Sequence, residues 1–183
     1  RDYYASRGLG DVYKRQKYRC LVWACPAHYY TNFTYWTQHC WGVTCVNDME
    51  AMLSYQPITI GDKEQALADL VRCYEKMMMR SHTNGGYVNL LDECWKMCEK
   101  FHTNIVIMYD HVSCKNVGGL HGLFEDQARE RGIHLIWIPH DVMDPRTVSR
   151  REMREAFSQY MVTVLNEKPL DPTLLDYEDA LSW

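Results

Sequence analysis

The chain has 183 residues, enough to bury one substantial hydrophobic core, and its 24 acidic and 20 basic side chains give a formal net charge of −4 at pH 7. This acidic balance, with no run of basic residues, argues against a nucleic-acid partner, and no apolar stretch is long enough to cross a bilayer. The eight cysteines include no Cys-x-x-Cys pair of the kind that binds structural zinc, and so many thiols favour a reducing cytoplasm.

The first sixteen residues, RDYYASRGLGDVYKRQ, do not fit the acidic chain that follows them. The codons for DVYKRQ resemble the end of a transposon-based sequencing adapter, and the same frame read upstream gives SRGLG. We therefore expect residues 1–16 to be an adapter-derived artefact from environmental shotgun DNA, and exclude them from fold reasoning. The remaining 183 − 16 = 167 residues are then a fragment whose natural reading frame is cut at Lys17; a natural basic arm is the alternative.

Strand and helix patterns alternate along the first part of the chain. The apolar run Tyr18–Ala24 (YRCLVWA) predicts a buried strand, and an aromatic-rich segment over 27–40 predicts a helix that ends at Gly42. Val43–Val46 predicts a second strand. After a connection broken by proline and glycine, Asp62 and Gln65 imitate a capping box at the start of an amphipathic helix.

The second part of the chain continues the alternation after a break at Asn84-Gly85-Gly86. A helix over 90–101 follows; it places Cys94 and Cys98 one turn apart, as core residues or, alternatively, as ligands of a shared metal. The later elements are a strand Ile105–Tyr109, a helix opened by Gly118-Gly119 and stopped by Gly132, a strand His134–Ile138, and a last helix with a Ser149–Glu152 capping box and an apolar stripe.

Continuous apolar strands separated by amphipathic helices are typical of a parallel sheet covered on both faces. We therefore predict an α/β fold: an open, doubly wound, mostly parallel sheet of about four or five strands, a flavodoxin- or Rossmann-like three-layer arrangement. Residues 17–167 form this domain, and residues 168–183 form an acidic, proline-broken tail that wraps the domain or reaches a partner.

Two loops at predicted strand ends carry residues suited to chemistry, because ligands gather there in open α/β sheets. In HVSCKNVGG, Cys114 lies next to Lys115 and just before a helix, which favours the thiolate that a nucleophile or soft metal ligand needs; a buried, inert cysteine is the alternative. His111 is a candidate base or hydrogen-bond donor, or simply a loop residue. In HDVMDPRTVS, Arg146 binds an anion or, as we favour, holds the turn through Asp144 or Asp141.

Together these loops resemble the subunits of the 2-hydroxyacyl-CoA dehydratase and benzoyl-CoA reductase family. The resemblance rests on HVSCKNVGG, ERGIHLIWIPHDVMDPRTVS and REMREAFSQYM, with KYRCLVWACPAHYY similar to the strand that enters the family's C-terminal domain. It covers Lys17 to about Glu167. Where the family often has Gly-x-Pro with Trp, this chain has Cys25-Pro26-Ala27-His28, which leaves the substrate open.

The resemblance implies the C-terminal α/β domain of a larger subunit with a [4Fe–4S] cluster. Cys114 would be one cluster ligand, with Lys115 and His111 beside it; the other two ligands would precede Lys17, and no such role passes to Cys20 or Cys25. The partners implied are a homologous second subunit in a heterodimer, an ATP-dependent iron–sulfur activator protein that injects one electron, and an acyl-CoA substrate that undergoes radical dehydration. No catalytic residue is assigned.

Three alternatives stay open at this point. The chain is a non-catalytic partner or scaffold subunit of the family; or it belongs to a benzoyl-CoA reductase-like enzyme that reduces a ring; or it is a cofactor-free thiol enzyme that uses Cys114 with His111. The expected activity is that of a lyase, with the fragment alone inactive.

Overall fold

The strands form one parallel sheet in the computed structural model, which describes residues 16–51, 57–75 and 77–176. Within these ranges the sheet has four strands: β1 (Tyr18–Trp23), β2 (Val43–Asp48), β3 (Ile105–His111) and β4 (His134–His140). Their order is β2-β1-β3-β4. After β1 the chain forms β2 on one side of it, and then crosses to form β3 and β4 on the other side. The predicted doubly wound α/β fold is thereby confirmed.

Helices connect the strands and cover both faces of the sheet. In the described part of the chain these are α1 (Phe33–Trp41), α2 (Lys63–Glu75), α3 (Met78–Phe101), α4 (Lys115–Gly118), α5 (His121–Arg131) and α6 (Arg150–Thr163), with 3-10 turns at His28–Tyr30 and Pro172–Leu174. None of these helices is long and apolar enough to cross a membrane.

Two hydrophobic clusters lie on opposite faces of the sheet because successive strand residues point to opposite sides. On one face Phe33 and Trp36 of α1 pack with Phe157 of α6 against the strands. On the other face Trp95 of α3 and Phe124 of α5 do the same. Residues 20–23 of β1 and 105–109 of β3, the two central strands, are almost completely buried, which explains why their sequences read as continuous apolar runs.

Helix ends agree with the capping signals in the sequence. Gly42 and Gly132 adopt left-handed backbone conformations, with φ of 71° and 65°, immediately after α1 and α5. Ser149 accepts from the amide of Glu152, and the Glu152 carboxylate accepts from the amide of Ser149, which completes the predicted capping box. At Gly86 the backbone leaves helical geometry and kinks α3, where the sequence predicted a break.

Helix α2 forms as predicted, but its apolar face is not buried. Asp62 Oδ1 accepts from the amides of Glu64 and Gln65, which caps the helix start. Leu67 and Tyr74, however, are 62% and 59% exposed. Since α1, α6, α3 and α5 already cover both faces of the sheet, α2 has no place against it.

The start of the helix after β3 also differs from the sequence prediction. The chain becomes helical at Lys115 rather than at the glycines, α4 ends at Gly118, and Gly119 and Leu120 separate it from α5. A side chain at Gly119 would place its Cβ only 2.9 Å from the Lys115 carbonyl oxygen, so glycine permits this tight turn.

The tail packs on the domain as far as the structure describes it. The Leu170 amide donates to the Cys40 carbonyl at 2.7 Å, and Trp36 Nε1 donates to the Leu174 carbonyl at 2.8 Å. Residues 177–183 of the predicted tail, and residues 1–15 of the predicted adapter segment, lie outside the described residues.

Candidate functional site: a cleft at the ends of strands β1 and β3

A cleft opens at the carboxyl ends of β1 and β3. These two strands are neighbours from which the chain departs in opposite directions, so the cleft occupies the switch point where open α/β folds bind ligands. It has a volume of about 220 Å³. Its lining is mostly apolar, with a few polar side chains. The lining residues are Trp23, Ala24, Cys25, Met49, His82, Leu90, Tyr109, His111, Cys114, Asn116, Val117 and Val142.

Cys114 lies in the wall of this cleft, as the predicted strand-end loop required. It is partly buried, and its backbone joins β3 to α4: its amide donates to the His111 carbonyl at 2.9 Å, and its carbonyl accepts from the Gly118 amide at 3.1 Å. Lys115 is exposed and is not among the described residues that line the cleft. The structure therefore brings Cys114 and His111 to the cleft but not Lys115.

His111 is held by its neighbour Ser113 rather than by Cys114. The Ser113 amide donates to His111 Nδ1 at 3.1 Å, and the Ser113 hydroxyl lies 3.0 Å from the same nitrogen. Because Nδ1 is already used, only Nε2 of this ring is left for a ligand or a proton. The ring also packs edge-on against His140, with 5.4 Å between centroids.

His140, which the sequence analysis did not single out, packs behind His111 and is not among the described residues that line the cleft. It ends β4 opposite His111, is completely buried, and packs against Tyr109 with 5.0 Å between ring centroids. Neither ring nitrogen makes a hydrogen bond of good geometry to a described residue, and the nearby backbone groups of Cys25, Asp110 and Ile138 only partly offset the effect of burial on its pKa. Burial, and then the neighbouring His111, lower the pKa of His140, so its ring is neutral at pH 7.

Two further buried nitrogens border the cleft without a hydrogen-bond partner among the described residues. They are Nε1 of Trp23, at the end of β1, and Nε2 of His82, on the first half of α3. The two rings are 5.5 Å apart between centroids. Burial lowers the pKa of His82, so this ring is also neutral. An indole N–H can only donate, and an unpaired buried donor is costly, so the cleft favours a ligand that accepts hydrogen bonds.

A second thiol, Cys25, faces the cleft from the end of β1. The preceding Ala24 has a φ of 67°, a conformation that residues with a Cβ seldom adopt, and this turns the chain away from the strand direction. Cys25 Sγ lies 3.8 Å from His28 Nε2, and the Glu50 carboxylate completes a group whose ligand atoms are all within 4.8 Å of one another. Burial, then the nearby Glu50, raise the pKa of Cys25 to about 12.

The other candidate residues have structural roles. Arg146 Nε and Nη2 donate to the two oxygens of Asp144 at 2.9 and 2.7 Å, and this lowers the pKa of Asp144 to about 2. Arg146 therefore holds the turn, as favoured. Cys94 and Cys98 are buried in the cluster between α3 and the sheet, which is the core role expected of them.

Comparison with known protein families shows which family this chain belongs to. The family model described as 2-hydroxyglutaryl-CoA dehydratase, D-component, matches residues 5–161. The chain belongs to this family. A search of curated proteins gave no significant match.

Membership in the D-component family confirms the resemblance seen in the sequence and indicates a dehydratase-type subunit. The match includes both strand-end loops, with Cys114 and Arg146, and all four strands. It begins inside the stretch 1–16, so the adapter origin of that stretch stays a prediction.

Proposed function

We propose that the chain is the C-terminal α/β domain of an iron–sulfur subunit that dehydrates a 2-hydroxyacyl-CoA thioester. The observation that carries the proposal is the position of Cys114, which puts a thiol in an apolar cleft at the switch point of a D-component family fold. In this proposal Cys114 is one ligand of a [4Fe–4S] cluster.

The residues around Cys114 suit such a cluster. Thiolates are the usual ligands of iron–sulfur clusters, and donors near the sulfur atoms stabilise the reduced form. The unpaired indole N–H of Trp23 borders the same cleft and supplies a donor of this kind. Cys114 alone cannot hold a cluster, so the remaining cysteine ligands are expected in a part of the subunit that precedes Lys17.

The chain's own residues supply binding, orientation and exclusion of water. A bound cluster supplies low-potential one-electron chemistry that side chains lack. Apolar walls contributed by Leu90, Val117 and Val142 exclude water from the reacting groups. His111, oriented by Ser113 through Nδ1, presents Nε2 as the group that holds or moves a proton.

The thiol-enzyme alternative has less support. A nucleophilic cysteine needs a base in hydrogen-bond reach, and within the described residues the hydrogen bonds of the His111 ring go to Ser113 and none joins it to Cys114. A ring-reducing enzyme and a non-catalytic partner subunit share the family fold, so activity assays distinguish them from a dehydratase.

The proposed partners follow from the same family. They are a homologous second subunit, an ATP-dependent iron–sulfur activator and an acyl-CoA thioester, in the cytoplasm. The subunit, co-expressed with its partner from the complete genes and supplied anaerobically with activator and ATP, is expected to dehydrate 2-hydroxyacyl-CoA thioesters and to leave benzoyl-CoA unchanged. If the complex reduces benzoyl-CoA and does not dehydrate 2-hydroxyacyl-CoA thioesters, the proposed dehydratase activity is wrong and the enzyme is a ring reductase.

The cluster assignment is tested by the iron and sulfide content of two variants. Cys114→Ser in the complete subunit is expected to lose most of its iron and acid-labile sulfide, together with activity. Cys73→Ser is the matched control, because this partly exposed thiol lies on α2, outside the described lining of the cleft. Unchanged iron in the Cys114 variant would refute the assignment.

A further inference from the structure

A second group of metal-binding side chains lies at the edge of the cleft, and the proposed reaction gives it no role. One ligand atom from each of Cys25, His28 and Glu50 lies within 4.8 Å of the other two, with 3.8 Å between Cys25 Sγ and His28 Nε2. Zinc bonds of about 2.0–2.3 Å in a tetrahedron put ligand atoms about 3.3–3.8 Å apart. An approach of about 1 Å would therefore let the three share one ion.

The backbone fixes the two loops that carry these side chains. The His28 amide donates to the Val142 carbonyl at 2.8 Å, which anchors the loop after β1 to the loop after β4. The Met49 amide donates to the Val22 carbonyl at 3.0 Å, which anchors the turn that carries Glu50 beside β1. The side chains of His28 and Glu50 are exposed, so both are free to rotate toward a shared ion.

We infer that Cys25, His28 and Glu50 bind a divalent transition-metal ion of the zinc class. A thiolate, an imidazole and a carboxylate are the mixed sulfur, nitrogen and oxygen donors that zinc accepts, whereas magnesium and calcium take oxygen donors alone. On binding, the Cys25 thiol loses its proton to solvent, and the thiolate and carboxylate together balance the two charges of the ion.

Three protein ligands leave the fourth position of the ion open to water or a ligand, as in catalytic rather than structural zinc sites. Because Cys25 also lines the cleft, the ion lies at its edge and joins the loop after β1 to the turn after β2. These three ligands differ from the one proposed for the cluster, because Cys25 follows β1 and Cys114 follows β3.

Cobalt(II) titration of the 183-residue chain tests the site, because Co²⁺ replaces Zn²⁺ and its thiolate complexes absorb in the near ultraviolet. The chain is stripped with a chelator and kept anaerobic, with no iron or sulfide added. We expect one Co²⁺ per chain, a thiolate charge-transfer band, and displacement by equimolar Zn²⁺. The band is expected to vanish in Cys25→Ser, and Co²⁺ affinity to fall about 10- to 100-fold or more in His28→Gln and Glu50→Gln.

Cys114→Ser and Cys73→Ser are the matched controls and are expected to keep the band. If Cys114→Ser loses the band, or if Cys25→Ser keeps it, the ion is at another thiol and the inference is wrong. Failure to bind Co²⁺, or unchanged affinity in both His28→Gln and Glu50→Gln, also overturns it. Because His28 and Glu50 have exposed side chains, these two variants decide the question even if Cys25→Ser misfolds. The titration needs no cluster, so its result is independent of the proposed dehydratase activity.

Discussion

Replacement of His140 by phenylalanine should make the ligand-free protein more stable. His140 is completely buried between Tyr109 and His111, and neither ring nitrogen makes a hydrogen bond of good geometry to a described residue. An unpaired buried polar group costs about 1–3 kcal/mol, so two nitrogens cost about 2 kcal/mol at the low end. Phenylalanine keeps the ring contacts but is larger, and fitting it costs about 1 kcal/mol. The net expected gain is about 1 kcal/mol, or about 2–4 °C in Tm for a chain of this size.

The pH dependence of this gain gives a second check. Because burial lowers the pKa of His140, the unfolded chain binds the proton more readily than the folded chain. The free energy of unfolding of the wild type is therefore not reduced by this ionisation above the unfolded pKa of about 6.5, and it decreases as the pH falls below that value. Phenylalanine cannot titrate, so the difference in urea unfolding free energy between variant and wild type should be larger at pH 5.5 than at pH 7.5.

The reasoning on His140 is refuted if His140→Phe unfolds at a lower urea concentration than wild type at both pH values. That result would mean that the nitrogens have partners, or that the site cannot accept the larger ring. A gain that does not change between pH 7.5 and 5.5 would show that His140 is not held neutral by burial.

Two other substitutions test the packing of α6 on the sheet and the backbone at the end of β1. Phe157→Ala should cost about 3–5 kcal/mol in urea unfolding, because Phe157 is completely buried against Phe33 and Trp36; Phe157→Leu should cost much less, and equal losses would contradict the packing. Ala24→Gly should be neutral or raise stability by up to about 1 kcal/mol, because it relieves a φ of 67°, whereas Ala27→Gly, at a φ of −69°, should lower it; a loss in the first variant as large as in the second would contradict the strain.

The parts of the fold that the sequence predicted are those determined by local chemistry. Ile105–Tyr109 is an uninterrupted apolar run because helices cover both faces of β3, and such a run in an alternating chain indicates a central parallel strand. The Ser149–Glu152 capping box and the glycine stops at Gly42 and Gly132 act within a few residues, so their sequence signals are sufficient.

Features that depend on tertiary arrangement were not predictable in the same way. The apolar face of α2 indicates a helix with one apolar side but not what covers that side, and Leu67 and Tyr74 turn out exposed. Glu50 reaches Cys25 only because β2 pairs with β1, a choice of neighbour that the sequence does not encode locally. Cys25 and His28, spaced Cys-x-x-His, were a signal that could have drawn attention to this loop.

His140 shows the same limit next to the site. In the sequence it opens the loop HDVMDPRTVS, two residues beyond the predicted strand His134–Ile138, and only the longer β4 and its register with β3 place it beside His111. Cys114 was proposed because strand-end loops next to glycines are common ligand positions in this fold class; it lines the cleft, and its role as a ligand stays a prediction.

An anaerobic crystal structure of the complete subunit, with anomalous scattering recorded at the iron edge, would test the central claim most directly. We expect an iron peak at bonding distance from Cys114 Sγ, inside the cleft between the ends of β1 and β3. An active protein whose iron lies elsewhere, with Cys114 unbonded, would contradict the assignment of this cleft as the cluster site.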